Sequence, residues 1–337
     1  MLFVLGIFAI ICLYKVKIDK KGFSDYLDIE QTTMIKGIFA FIIFVCHFNS
    51  YIVLDNNLLN KIFETIIRYI GQLSVVMFLF YSGFGIYISA TKKKGYFENF
   101  WKKRIIKTLI AFDLAVLLYL ICDIIMSINY PIKDILLSFV GWSSVGNSNW
   151  FVFVIIVLYI ITNVIAKIFK NKLDKKSLIT ITVCSIILII ILKILKESWW
   201  YNTILCYPLG LWYGFYKDKI DDLIKRKYLY VFFPLFAVFI ALFYFRNYSF
   251  IVYEIVSCVF CILVVCFTYK VKLANKILGF FGKYSFEIYI LQRLPYIFIL
   301  KYLSNYYLIF FIGFASTIVL SILFSKLTKF VNKLMKI

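Results

Sequence analysis

The sequence predicts an all-α fold: a polytopic bundle of about eleven transmembrane helices. Three observations predict it. The 337-residue chain is 63% hydrophobic, where a soluble domain is closer to half apolar. Its charged residues, 16% of the total, fall in short clusters between apolar runs. Those runs are continuous and mostly long enough for a helical crossing, which takes ~20 residues, whereas a membrane barrel would show alternating segments of ~10.

The apolar spans lie at about 1–14, 35–54, 69–91, 105–127, 150–168, 178–195, 199–216, 228–245, 249–269, 285–303 and 307–325. The links between them alternate in charge. One set, with its helix ends, holds 30 of the 38 basic residues; the other holds Lys61, Arg68, Lys133, Lys193, Lys196, Arg246, Arg293 and Lys301. The positive-inside rule places the first set in the cytoplasm. The N-terminus is then outside and the C-terminus cytoplasmic. A missed or added helix would break the alternation from that point onward.

The first span, MLFVLGIFAIICLY, has no basic residue before it and no A-x-A site after it. That favours a retained helix over a cleaved signal peptide. Residues 1–33 therefore read as an extra N-terminal helix with a basic link, and residues 34–337 as the main membrane domain. Net charge is +21, yet the basic clusters follow topology and anionic lipid rather than nucleic acid. All eight cysteines fall in apolar runs and read as small packing side chains, the Cys258-x-x-Cys261 pair included. No partner pair with metal-site spacing accompanies it, and the lone histidine is elsewhere, so no metal is expected. Pro208 and Pro295 fall within spans, where a kink is expected. Gly210 and Gly214 form a GxxxG, a helix-packing pattern. The outer 128–149 link is long enough for a partial lid.

An ionisable group inside a bilayer costs about 2.5–3.5 kcal/mol on insertion scales and needs a reason to be there. The candidates are His47, the only histidine, and Asp113, Asp123, Glu254 and Glu287. Lys36 precedes His47 by eleven residues, about three helical turns, so the two share a face ~16 Å apart along the axis. Histidine titrates near neutrality and suits general-base work on a hydroxyl. Ser82, Gly83 and Gly85 interrupt an aromatic stretch and permit close approach of a helix or a ligand. Arg104 and Lys107, three apart, share a helix face. Trp150-Phe151 opens a middle span. Late in the chain, Ser285, Glu287, Tyr289 and Gln292 put more polar groups into one span than anchoring needs, which points to a cavity.

In this order, the segments resemble the membrane acyltransferase-3 family, which includes polysaccharide O-acetyltransferases. Lys36-Gly37 through His47-Phe48 resembles its basic residue, ten intervening residues and histidine, with lysine for arginine. Phe78 to Phe84 looks like its F-F-x-x-S-G-F, and Arg104 to Lys107 like its R-x-x-R. Trp150-Phe151 looks like its W-F/Y, and Ser285 to Gln292 like its S-x-x-I-Y-L-x-H, with glutamine at the histidine position. The resemblance spans about residues 34–325 and implies a ten-helix core.

It further implies an integral membrane O-acyltransferase with no permanently bound cofactor. Acyl-CoA, acetyl-CoA above all, would be the donor. The acceptor would be an envelope polysaccharide or lipid-linked sugar. His47 and Lys36 would be catalytic; Lys36, Arg104 and Lys107 would hold the CoA phosphates. Ser82, Gly83, Trp150, Ser285, Glu287, Tyr289 and Gln292 would line the substrate path. Composition fits a bacterial plasma membrane. The rival readings are a flippase for a lipid-linked sugar, which would show repeats and broken helices, and a structural partner in an envelope-assembly complex, which would need no intramembrane histidine.

Overall fold

A computed structural model describes residues 1–336. The chain is helical almost throughout. In order come α1 (Leu2–Leu13), β1 (Lys17–Ile18), α2 (Ile29–Asn49), α3 (Leu58–Ile70) and α4 (Leu73–Lys92). A π-helical turn, Trp101–Ile106, leads into α5 (Lys107–Ile125), followed by α6 (Ile132–Ser138), α7 (Trp150–Ile168) and α8 (Lys175–Leu195). After a 3-10 turn at Ser198–Trp200 come α9 (Cys206–Phe215), α10 (Lys217–Tyr244) and α11 (Phe250–Lys270). Last are β2 (Val271–Lys272), α12 (Lys276–Lys283), α13 (Ser285–Leu291), α14 (Leu294–Tyr302) and α15 (Tyr306–Leu334).

The links start helices with side-chain caps. Asp28, Asn57, Asp174, Ser249 and Asn305 each accept a hydrogen bond from a backbone N–H two or three residues on, satisfying donors that a helix start leaves free.

Among the described residues, eight stretches are long and apolar enough to cross a membrane: α2, α3 with α4, the π-turn with α5, α7, α8, α10, α11 and α15. The other three expected crossings are short or broken. Helix α1 has 12 residues, about 18 Å of rise. It is nevertheless tied at both ends: the Met1 amino group donates to Asn60 Oδ1 at 3.1 Å, and Asn275 Nδ2 donates to Ile11 O at 2.6 Å. The 199–216 span is a turn followed by the ten residues of α9. The 285–303 span breaks at Gln292–Arg293 into α13 and α14. The expected kinks at Pro208 and Pro295 are instead helix starts: each proline sits in the first turn of α9 or α14, where its missing N–H leaves no bond unmade. Pro234 lies inside α10, and a non-helical Lys227 bends that helix near its start.

The links sort onto two faces as their charge predicts. On the basic face, Lys17 and Ile18 pair with Lys272 and Val271. Asp25 forms an ion pair with Lys272, and the Tyr26 hydroxyl meets that of Tyr213 at 2.8 Å and the Asp221 carboxylate. The Lys272 ammonium holds Asp25 below the usual carboxylate range. On the opposite face, Tyr306 donates to Asp55 at 3.2 Å, Gln72 to Trp199 O at 3.0 Å and Lys196 to Trp142 O at 2.8 Å. The Arg246 guanidinium lies 4.3 Å from the Tyr69 ring centroid. Helix α3 belongs to this second face. The sequence predicts a link at these residues; the structure forms a helix that buries Phe63 and Ile67 and exposes Leu58, Leu59 and Tyr69.

Glycine sets the two tightest helix pairs: between α2 and α12, a Cβ at Gly37 would overlap the Leu278 carbonyl and one at Gly282 that of Thr33. A Cβ at Gly83 would overlap the Tyr207 carbonyl, and one at Gly210 would overlap that of Phe80. Helices α4 and α9 thus meet backbone to backbone. Cys206 lies against Cys258 and Cys261 of α11, which puts those thiols in a helix contact.

Candidate active site

Helix α2 carries a functional group toward each face. Lys36 lies toward the basic side with Arg104 as its charged neighbour, and neither has a carboxylate within 4 Å among the described residues. Arg104 comes from the π-turn and sits among the hydroxyls of Tyr96, Tyr159 and Tyr207. Ser82 joins this group through a 2.7 Å hydrogen bond with Tyr159. Thr162 joins it through a 2.7 Å bond with Tyr207. Two uncompensated cations among neutral hydroxyls form a site for an anion such as a phosphate. Lys107 opens α5 directly after that turn. The expectation that it shares a face with Arg104 assumed α-helical spacing, and the wider π-turn ending at Ile106 changes the angle between them. Such π-bulges recur at functional sites.

Three turns on, His47 opens into a cavity of about 750 Å³ on the opposite side. Its wall includes Trp142, Trp150, Trp199 and Trp200, four of the chain's six tryptophans. The 128–149 link does wall this cavity, through Asp134, Trp142 to Ser144 and Asn147 to Asn149. Its path is held by side chains: Asn147 Oδ1 accepts from Val145 N at 3.1 Å, and Asn149 Nδ2 donates to Gly141 O at 2.8 Å. Gly141 and Gly146 turn the loop at φ +74° and +83°, a region side chains resist. Lys196 Nζ lies 4.0 Å and 4.4 Å from the Trp142 and Trp200 ring centroids. Burial lowers its pKa, and the carboxylates of Glu197 and Asp134 pull it back up.

A narrower cavity of about 220 Å³ also touches His47, with Ile43, Trp150, Trp199, Tyr289 and Arg293 on its wall. Deeper, Ser285 and Tyr289 meet Ile43, Val75, Phe78, Phe151 and Phe286 around an apolar space of about 50 Å³. Several buried polar atoms near these spaces have no protein partner: Asn147 Nδ2, Ser148 Oγ, Tyr289 Oη and Arg293 Nε. Aromatic faces beside unmet donors and acceptors suit a polyhydroxylated ligand.

Among the other sequence candidates, Gly83 faces the α9 backbone, and Glu287 faces Ser325 and Lys329 of α15. Gln292 is fully buried and donates from Nε2 to Tyr289 O at 3.1 Å. No carboxylate comes within 4 Å of His47 among the described residues; the charge acting on it is that of Arg293. Glu254 instead accepts from Leu205 N at 3.2 Å, beside the start of α9.

Arg293, Lys196 and the indoles at 142, 199 and 200 were not among the sequence candidates. A signal for two of them existed: Arg293 and Lys196 are among the eight cations that the positive-inside rule leaves on the wrong side.

A family model described as an acyltransferase domain, that of the membrane acyltransferase-3 family, matches residues 26–326. No curated protein and no solved structure matches the chain.

Proposed function

The chain belongs to the membrane acyltransferase-3 family, and on that premise we propose that it transfers a short acyl group, acetyl above all, from cytosolic acyl-CoA to a hydroxyl of an envelope polysaccharide or lipid-linked sugar. It is a multi-pass membrane protein and an acyltransferase; the donor, acceptor, orientation and a bacterial plasma membrane are our reading.

One observation carries it. A single helix presents Lys36 toward the basic face, where Arg104 of the π-turn joins it as a second uncompensated cation, and His47 toward a tryptophan-walled cavity on the other. The basic face is then cytoplasmic. CoA phosphates bind at Lys36 and Arg104, and the acyl-bearing arm enters past Ile43, Phe78 and Phe286. The acceptor sugar enters from outside and stacks on the indoles. His47 takes the hydroxyl proton as the oxygen attacks the thioester carbonyl. Tyr289, with its unpartnered hydroxyl, orients the sugar. Keeping the thioester in an apolar passage limits its hydrolysis.

The broken α13–α14 crossing and the short α9 give the flippase reading a feature the sequence had not shown, since transporters build sites at interrupted helices. Labelled acetyl-CoA separates the two. In membranes bearing the wild type, label moves to the glycan fraction. The His47→Gln variant, present at equal level, loses that transfer by about 10²- to 10⁴-fold, the usual contribution of a general base. Glycan translocation without any acyl transfer by the wild type establishes the flippase instead.

A further inference from the structure

We propose that Arg293 is the electrostatic partner of His47: its guanidinium holds the acyl carbonyl oxygen as that oxygen becomes negative. This assignment rests on the acyl-transfer reading.

Arg293 sits where the crossing breaks. It is the residue before α14, with Pro295 in that helix's first turn. The break brings the side chain to the wall of both cavities that His47 lines. It has no carboxylate within 4 Å among the described residues. Its Nε is buried with no partner, and an aromatic neighbour, Tyr51, lies 5.8 Å away by ring centroid. Topology does not explain it, since it lies on the side where cations are few. A half-buried guanidinium whose Nε lacks any partner and which has no counter-charge is costly to hold there. Such a group is retained where an anion, resident or transient, comes to it.

The surrounding charge distinguishes a transient anion from a resident one. Asp134 and Glu197 line the larger cavity with Lys196 and Arg293. An acidic acceptor would meet two carboxylates on its way to Arg293. A neutral hydroxyl would not, and its attack creates negative charge beside His47.

The acceptor oxygen bonds to the thioester carbonyl carbon and gives its proton to His47. The carbonyl π pair moves onto the carbonyl oxygen, where Arg293 donates to it. When that pair returns, the C–S bond breaks, the sulfur leaves as thiolate, and the proton on His47 passes to it. Acyl ester and free CoA thiol are the products, and His47 is neutral again. Donors aimed at the oxygen that becomes negative act on the transition state more than on the bound substrate.

The test uses full-length protein in membranes, labelled acetyl-CoA as donor and the cell's envelope glycan fraction as acceptor. Arg293→Gln is expected to lower kcat by about 10²- to 10³-fold, the loss typical of one oxyanion donor, with KM for acetyl-CoA unchanged. Arg293→Lys is expected to recover part of the rate. Free guanidinium added to Arg293→Ala restores transfer, which repair of a merely structural defect would not do. A wild-type rate in Arg293→Gln, or a loss confined to acceptor KM, overturns the assignment and leaves the acyl-transfer reading standing. No transfer by the wild type to any glycan overturns that reading, and the assignment falls with it.

Discussion

Lys196 shows how one side chain sets the shape of the outer cavity. Its ammonium donates to the Trp142 carbonyl at 2.8 Å and lies over two indoles, so it fixes the angle between Trp142 and Trp200. A cation–π contact contributes about 0.5–2 kcal/mol. If those indoles receive the acceptor, Lys196→Met raises acceptor KM by roughly 2- to 30-fold, with KM for the acyl donor unchanged. Burial has also lowered the pKa of Lys196, so it loses its proton at lower pH than a solvated lysine. Acceptor KM therefore climbs on the alkaline side as pH rises through that lowered value. A pH series of steady-state kinetics checks this, and the Lys196→Met variant should lack the alkaline limb. An unchanged acceptor KM in that variant would remove these indoles from the acceptor site.

Two helix contacts show what was legible in the sequence and what was not. The Gly210-x-x-x-Gly214 pattern reads as packing, and Gly210 does meet the Phe80 backbone. Gly83 admits either packing or ligand approach, because both require the same missing Cβ; its neighbour turns out to be the Tyr207 carbonyl. The eleven-residue step from Lys36 to His47 was readable because α2 is one uninterrupted helix over Ile29–Asn49. The step from Arg104 to Lys107 is less legible because a π-turn intervenes, and no residue type in WKKRII announces one. The break at Gln292–Arg293 was announced only by Pro295, which reads equally as a kink within one continuous span. The α4–α9 contact is testable by bulk. Gly210→Val places carbon atoms against a backbone that cannot yield as a side chain does. Overpacking of this kind costs about 1–3 kcal/mol, so the variant should melt at lower temperature in detergent than the wild type. An unchanged melting temperature would mean that α4 and α9 stand further apart.

At the scale of the whole molecule, charge placement orders the fold, because each crossing inverts the face on which the next link must sit. The 30-to-8 division of cations anticipated which links meet: residues 17–18 with 271–272, and residue 55 with residue 306. The weakest crossing by length is 199–216, whose α9 has ten residues, about 15 Å of rise. Whether it traverses decides the orientation of everything after it. Lys172 and Asn247 are exposed link residues on either side of α8, the 199–216 segment and α10. Three crossings put them on opposite faces; two would put them on the same face. The eight native cysteines lie within helices, although Cys46 lines the narrower cavity beside His47, so the parent chain supplies the background. A membrane-impermeant maleimide is expected to label Asn247→Cys in intact cells. Lys172→Cys should label only after permeabilisation. Labelling of neither until the cells are permeabilised would mean that the 199–216 segment re-enters rather than crosses. Labelling of Lys172→Cys alone would invert the whole protein and turn Lys36 and Arg104 outward. Cytosolic CoA could not reach them there, so this outcome would also remove the donor site proposed here.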